Sequence, residues 1–354
     1  MKILFVISSL TSGGAERVLT RLANYWSKKG WDVTILSILP HDLDFYKLED
    51  NIKIVSLGIR YKKNPIFNNL WYLYGIRKIV KEGNYDAVIS FISRINILTL
   101  VSTIGVKTPI IISERNNYHA LSSAILRFVR RVTYPLCDTL VVLSQYDYEK
   151  YSFVKNKKVI FNPIDNFLDV KFEDKEKLIL AVGSLTHQKG YDRLLKALSL
   201  VDLRGWKVII IGEGPLEDEI KAMIAELNLT QYVSLIGRRK DINAFYKRAS
   251  VFVLSSHWEG FPNVLAEAMA SGCACVSFDC ITGPSNIIKN GENGFLVEQD
   301  NILMLSARIR DLIEDKDLRK EFFDKALEIR DKLDINKIAG MWEDIIISLT
   351  NKKR

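Results

Sequence analysis

Leu178-Ile179-Leu180-Ala181-Val182-Gly183 decides the fold. This apolar run, closed by a glycine, follows a charged segment, Asp165 to Lys177, in which no hydrophobic period survives. It restarts a pattern the chain has already run through once. Before it, strand-like runs fall at Lys2 to Ser8, Asp32 to Leu36, Lys53 to Leu57, Ala87 to Phe91, Pro109 to Ser113, Thr139 to Leu143 and Val159 to Phe161. After it they fall at Lys207 to Ile211, Val233 to Leu235, Val251 to Leu254, Ala274 to Ser277 and Phe295 to Val297. Amphipathic stretches separate most of them, such as Ala15 to Lys29, which Gly30 closes. Near-continuous apolar strands joined by helices predict parallel sheets covered on both faces. One sheet of so many strands would be unusual, so the restart predicts two doubly wound domains. The expected boundaries are 1–165, 175–334 and a last helix over 335–354 that packs toward the first domain, with a hinge near Asn162-Pro163-Ile164-Asp165. Ligands of such sheets sit beyond the carboxyl ends of the strands, and the two domains are expected to face one another across a cleft.

Composition agrees. At 354 residues the chain is too long for one ordinary core. Its hydrophobic content of 48% and charged content of 26% are those of a globular protein. No apolar run approaches the length that spans a bilayer. Met1 to Ile7 has the look of a short signal peptide, but the run stops at Ser8-Ser9 and leads into a charged helix, so it reads as a first core strand of a cytoplasmic protein. The net charge of +8 suits phosphate-rich partners or an anionic membrane, and equally suits plain solubility. Cys273, Cys275 and Cys280 lie in an apolar strand pattern without a second Cys or His pair at zinc spacing. With Cys137 they read as small reduced thiols rather than metal ligands. Asp42-Leu43-Asp44 reads as a solvated loop.

The chemistry concentrates at strand ends. Glu259-Gly260-Phe261-Pro262-Asn263-Val264-Leu265-Ala266-Glu267 opens an apolar helix. Gly260 and Pro262 hold the chain out of helix before Asn263, so unpaired N–H groups and the positive end of the dipole face outward. Such a start suits a phosphate, and the two carboxylates beside it suit the hydroxyls of a sugar. Gly183-Ser184-Leu185-Thr186-His187-Gln188-Lys189-Gly190 follows a strand and precedes a helix, which places Lys189 to neutralise a diphosphate or simply in solvent. His187 reads as a surface loop residue. Gly13-Gly14 after the first strand allows close backbone approach and is not G-x-G-x-x-G, which counts against a dinucleotide cofactor. Gly212-Glu213-Gly214-Pro215, Gly237-Arg238 and Thr282-Gly283-Pro284 close further strands, either as turns or as parts of a site.

Taken in order, Gly13-Gly14-Ala15-Glu16, Gly183 with Lys189-Gly190, Gly212-Glu213-Gly214-Pro215, Glu259 with Glu267, and Gly291-Glu292-Asn293-Gly294 resemble the retaining glycosyltransferases of family four. The resemblance covers nearly the whole chain. It implies the GT-B fold, two Rossmann-like domains, and a nucleotide-sugar donor. On it, Glu259 would contact the donor sugar, Glu267 the ribose and Lys189 the diphosphate. The backbone from Phe261 through Pro262 and Asn263 to Val264 would meet sugar and phosphate, and the backbone around Arg238 would meet the base. It implies retention by front-face attack, no cofactor beyond the UDP-sugar, and no essential metal. Two positions depart from the family. Ser184 stands where an Arg usually helps neutralise the diphosphate. Ser113-Glu114 is followed by Arg115 where many members have His; Arg115 would stabilise leaving-group charge itself, or His119 would substitute.

The relatives so resembled build glycans on polyprenyl diphosphates, often from UDP-N-acetylgalactosamine or another UDP-hexose. A lipid-linked acceptor and a peripheral place on the inner face of a bacterial cytoplasmic membrane are therefore implied, with no nucleic-acid partner. Asn68 to Lys81, preceded by Lys62-Lys63, and Leu126 to Arg131 mix aromatics with cations as interfacial helices do. The competing reading makes Trp71, Leu73 and Ile76 core residues under a solvated basic face. Two other functions fit the same architecture: a nonhydrolysing sugar-nucleotide epimerase, and a noncatalytic sugar-nucleotide-binding subunit.

Overall fold

The computed structural model describes residues 1–11, 13–40, 46–58, 65–164 and 169–353. Ser12, the Asp42-Leu43-Asp44 loop, Lys62-Lys63 and Asp165 lie outside the described residues. The chain divides into two compact units, Met1–Asp165 with Asp334–Arg354, and Asn166–Leu333.

Seven parallel strands form the sheet of the first unit: β1 Lys2–Ile7, β2 Asp32–Ser37, β3 Lys53–Ser56, β4 Ala87–Phe91, β5 Ile110–Ser113, β6 Thr139–Val142 and β7 Lys157–Val159. They lie in the order β3-β2-β1-β4-β5-β6-β7. Phe5 of β1 sits opposite Ile35 on one side and Ile89 on the other. Six parallel strands form the second sheet: β8 Glu176–Val182, β9 Lys207–Ile211, β10 Val233–Leu235, β11 Ala249–Leu254, β12 Ala274–Phe278 and β13 Phe295–Val297. Their order is β10-β9-β8-β11-β12-β13. Both units are thus doubly wound, as the apolar runs predict. In each, the order reverses beside the first strand, between β1 and β4 and between β8 and β11. Loops leaving the carboxyl ends of those two strands diverge to opposite sheet faces and leave the crevice where such folds bind ligands.

Strand boundaries differ from the sequence reading where charge misleads. β8 begins at Glu176, before the apolar run, because Arg248 grips its carboxylate at 2.6 and 2.9 Å and lets a charged residue pair at the sheet's end. β7 falls at Lys157–Val159, earlier than its apolar residues suggest. Its partner β6 aligns Leu140 with Lys157 and Val142 with Val159, and an edge strand tolerates lysines.

The first unit has a core on each sheet face. One contains Phe5, Trp26, Phe91 and Trp342, with Trp26 stacked on Phe5 at 5.6 Å and Phe91 on Trp342 at 6.4 Å. Trp342 belongs to the last helix, Ile335–Lys353. The other is built from Tyr72, Ile76, Ile97, Leu100 and Tyr134 against Leu4, Val88 and Ile112. Ile76 is therefore core, while Trp71 and Leu73 are half-buried, Trp71 donating its indole N–H to the Leu57 carbonyl at 3.3 Å. All four cysteines are free thiols. Burial pushes Cys137 and Cys280 up to about 12, and Cys273 and Cys275 up as well. No helix among the described residues is long and apolar enough to cross a membrane.

Candidate active site at the switch point of the second sheet

The loop after β8 carries Lys189 and the loop after β11 carries Glu259. Topology brings them together: Lys189 Nζ lies 2.6 Å from Glu259 Oε1, although 70 residues separate them in sequence. The pair is largely buried, with side-chain exposures of 16% and 7%. Ser256 Oγ donates to the same carboxylate oxygen at 2.6 Å. Glu259 Oε2 accepts no hydrogen bond from a described residue.

The loops are clamped by backbone. Gly190 is left-handed at φ +60, and a Cβ there would collide with the Ser255 carbonyl oxygen. Glycine lets the two loops touch. Ser255 Oγ donates to the Lys189 carbonyl at 2.9 Å, and the Arg193 guanidinium donates to the Ser255 carbonyl while lying over Phe278 at 4.5 Å. Gly183 opens the first loop, and Lys189's methylenes lie where its Cβ would be, at 3.0 to 3.2 Å. Gly212, ending β9, abuts the Gly183 carbonyl so closely that no Cβ fits. On the other side, Thr282 donates from Oγ1 to the Glu259 carbonyl, and Gly283 packs against Pro262 with room for no Cβ (2.5 Å). Thr282 holds φ +65, a conformation a β-branched residue adopts only when its surroundings enforce it.

The helix Asn263–Ala270 starts beside this pair. Its amino end is less open than the sequence suggests. Pro262 has no N–H, Asn263 N–H turns to the Phe261 carbonyl at 2.9 Å, and Leu265 and Ala266 donate to the Pro262 carbonyl at 3.0 and 3.1 Å. Val264 N–H has no acceptor among the described residues. Glu267, one turn on, is buried and accepts from Tyr246 OH at 3.4 Å. Arg238 follows β10, its backbone N–H 3.3 Å from Glu213 Oε1 and its side chain 3.6 Å from Glu213 Oε2, which ties the β9 and β10 loops together. Ser184 is exposed, its hydroxyl 3.4 Å from that of Thr186. His187 stacks flat on His257 at 4.4 Å, and burial first, then Arg193, holds His257 below the usual imidazole range.

In the first unit Gly13 caps the helix Gly14–Lys28, and the carboxylate of Glu16 folds back into the space a Gly13 Cβ would fill. Burial raises the Glu16 carboxyl above its ordinary value. Arg115 is interior. Its Nη1 donates to Asn162 Oδ1 at 2.5 Å, its guanidinium lies over Phe91 at 4.9 Å and Trp342 at 5.5 Å, and its Nε and Nη2 have no acceptor among the described residues. Burial pushes it down to about 9. Glu114 beside it is buried under Ser93, Asn96 and Tyr134, all donating to its carboxylate, yet burial still raises it. His119 bonds Tyr146 OH at 3.0 Å on the surface. Ser256 and Arg193 are site-building residues that the sequence reading passed over, and Thr282 is one that it noted only as part of a loop. Thr282-Gly283 was visible there as a loop, but nothing in the sequence aims it at Glu259.

The β8–β11 switch point thus holds a lysine–carboxylate pair beside a helix with a second acid one turn in. Comparison with known proteins decides the family. The family model described as Glycosyltransferase Family 4 matches residues 12–166, and that described as Glycosyl transferases group 1 matches residues 165–328. The GalNAc-alpha-(1->4)-GalNAc-alpha-(1->3)-diNAcBac-PP-undecaprenol alpha-1,4-N-acetyl-D-galactosaminyltransferase of Campylobacter jejuni is 34% identical, over 99% of this chain and 99% of its own. The chain belongs to the family-four glycosyltransferases. A second Campylobacter jejuni enzyme, the N-acetylgalactosamine-N,N'-diacetylbacillosaminyl-diphospho-undecaprenol 4-alpha-N-acetylgalactosaminyltransferase, is 32% identical over 94% of this chain and 96% of its own. Among solved structures, Anabaena HepE in complex with UDP superposes with a TM-score of 0.82 at 18% identity, covering 98% of this chain and all of that one, which establishes the shared GT-B fold. This glycosyltransferase is an enzyme, and neither the epimerase nor the noncatalytic reading finds support among its relatives.

Proposed function

We propose that this glycosyltransferase moves an N-acetylhexosamine, N-acetylgalactosamine in the first instance, from its UDP-sugar onto a polyprenyl-diphosphate-linked oligosaccharide at the cytoplasmic face of a bacterial membrane. Two relatives above 30% identity, named for that transfer to undecaprenyl-diphosphate-linked glycans, support the donor and acceptor. What carries the donor site is the Lys189–Glu259 pair at the start of the helix Asn263–Ala270.

In this reading, the departing diphosphate draws Lys189 away from Glu259. The charge developing on the β-phosphate meets the lysine and the helix amino end, a preorganised arrangement of dipoles and charge. Glu259 Oε2 takes a sugar hydroxyl, Glu267 the ribose, and the loop at Gly237-Arg238 the base. Gly13-Gly14 and the loop after β1 belong to the acceptor side. Arg115 acts by holding the first unit's loops, since its guanidinium is engaged with Asn162, Phe91 and Trp342. The acceptor hydroxyl attacks the anomeric carbon on the face that the diphosphate leaves and gives its proton to the departing phosphate oxygen, so the anomeric configuration is retained, and the diphosphate's charge falls to Lys189 and the helix rather than to a metal ion.

The test supplies UDP-N-acetylgalactosamine and a polyprenyl-diphosphate oligosaccharide. One added N-acetylhexosamine in α linkage, formed equally well in EDTA, is expected; a β product, or activity restored only by a divalent ion, would overturn those parts of the proposal. Glu259→Gln, which keeps a hydrogen-bond acceptor for Ser256 but removes the charge paired with Lys189, is expected to melt at a lower temperature and, in the protein that remains folded, to lower turnover by about 100-fold or more. Turnover near the wild-type level would remove Glu259 from the site.

A further inference from the structure

The loops that carry Lys189 and Glu259 meet a second time. Two residues before each of these lies a histidine: His187 in the turn His187–Lys189 after β8, and His257 in the loop after β11. Their rings stack with centroids 4.4 Å apart and planes 4° from parallel. The Trp258 ring lies tilted against both, 6.0 Å from His187 and 6.2 Å from His257. Backbone joins the loops between the two side-chain bridges. His257 N–H donates to the Gln188 carbonyl at 2.8 Å, and Gln188 Nε2 donates to the Trp258 carbonyl at 3.0 Å. Stack and ion pair are therefore two fastenings of one loop to the other.

Neither imidazole makes a hydrogen bond through its ring nitrogens to a described residue. The rings meet face to face, and the sign of that contact depends on charge. Two neutral rings attract, and two imidazolium rings at this separation repel. The surroundings do not offset the repulsion. His257 is faced by Arg193 and Asp192 from the helix Tyr191–Leu198, by Asp300 from the loop after β13, and by His187 from the β8 loop. Arg193 adds a third positive charge and already pairs with Asp300. Asp192 lies 4.0 Å from Lys196, and both aspartates are well exposed, so water screens them. Glu259 is held by Lys189 and Ser256.

We infer that the His187–His257 stack positions the two donor loops, holding Lys189 and Glu259 in register while both rings are neutral and releasing them when both are protonated. It rests on the donor site proposed above and names what sets that site's geometry.

Affinity for UDP is measured by calorimetry at about pH 7.5 and about pH 5.5, on either side of the ordinary imidazole value. A terminal phosphate titrates in the same range, so each variant is compared with the wild type under the same conditions. His187→Phe keeps a flat ring and removes one titrating group. It is expected to bind UDP like the wild type at the higher pH, and its loss of affinity in acid is expected to be about tenfold smaller than the wild type's. His187→Ala removes the ring and is expected to bind about three- to tenfold more weakly at the higher pH, a loss that Phe restores. His187 is exposed, so both variants are expected to fold. An equal acid loss in wild type and His187→Phe, or wild-type affinity in His187→Ala, would overturn the inference. So would wild-type binding that tightens in acid relative to His187→Phe, since the protonated rings would then be meeting the diphosphate directly. Each of these leaves the donor site standing. A wild type that fails to bind UDP at the higher pH would overturn the donor reading, and the inference with it.

Discussion

At the residue scale, function hangs on how a few charges are paired. Lys189 and Glu259 hold one another out of water, and removing one partner of such a buried pair costs about 3–5 kcal/mol. At the proposed donor site a nucleotide sugar would have to supply what each loses. Ser184 is the other informative position. It is exposed, and the family resemblance implies an arginine at this position. Ser184→Arg is expected to leave the melting temperature unchanged and to tighten UDP binding by about five- to tenfold, from one added charge-assisted hydrogen bond. Unchanged affinity by calorimetry would place residue 184 away from the diphosphate. Glu114 makes a different prediction. Burial raises its carboxyl in the folded state, so between its ordinary value of 4.5 and the raised one the folded protein holds a proton that the unfolded chain releases. Stability therefore falls as pH rises through that window. Glu114→Gln keeps an acceptor for Tyr134 and removes the titration. A flatter dependence of melting temperature on pH is expected, and an unaltered slope would count against the burial argument.

At the element scale, the site is a property of loops that close strands, and those loops touch through glycine. Gly190 is constrained twice over. It is left-handed, and any Cβ would strike the Ser255 carbonyl. Gly190→Ala is expected to destabilise by about 1–3 kcal/mol and to weaken UDP binding as well, because the displaced loop carries Lys189. Gly205 offers the comparison: it is also left-handed at φ +79 but has open space around it, so Gly205→Ala strains the backbone without moving a neighbour and leaves UDP binding intact. Equal effects of the two on UDP affinity would show that contact with Ser255 does not set the loop's position.

At the scale of the whole molecule, the last helix returns to the first unit. Trp342, Ile338 and Ile346 are buried in its core beside Phe91. Losing a buried tryptophan alone costs about 3–5 kcal/mol, a large part of the roughly 5–15 kcal/mol that holds a domain together. Residues 1–165 expressed alone are expected to lack a cooperative thermal transition, whereas 166–333, whose core is complete in itself, are expected to fold and bind UDP. A cooperative melt for 1–165, followed by circular dichroism, would show that the helix is dispensable.

Local order along the chain was enough for the number and order of the strands, for the two doubly wound sheets, and for the residue types of the proposed donor site. Runs of apolar residues, glycines at their ends and the restart at Leu178 are local signals, and local signals survive in one dimension. It could not show that β8 begins at Glu176 rather than at Leu178, because the charge there is paired with Arg248, far along the chain. Nor could it show that Asn263 spends its amide on Phe261, that Thr282 reaches the Glu259 backbone, or that Arg115 lies inside between Phe91 and Trp342. Those are long-range contacts, fixed only when strand order decides which loops become neighbours. Strand order is where tertiary structure adds what composition and periodicity do not contain: it places β11 beside β8, and with it the carboxylate beside the lysine.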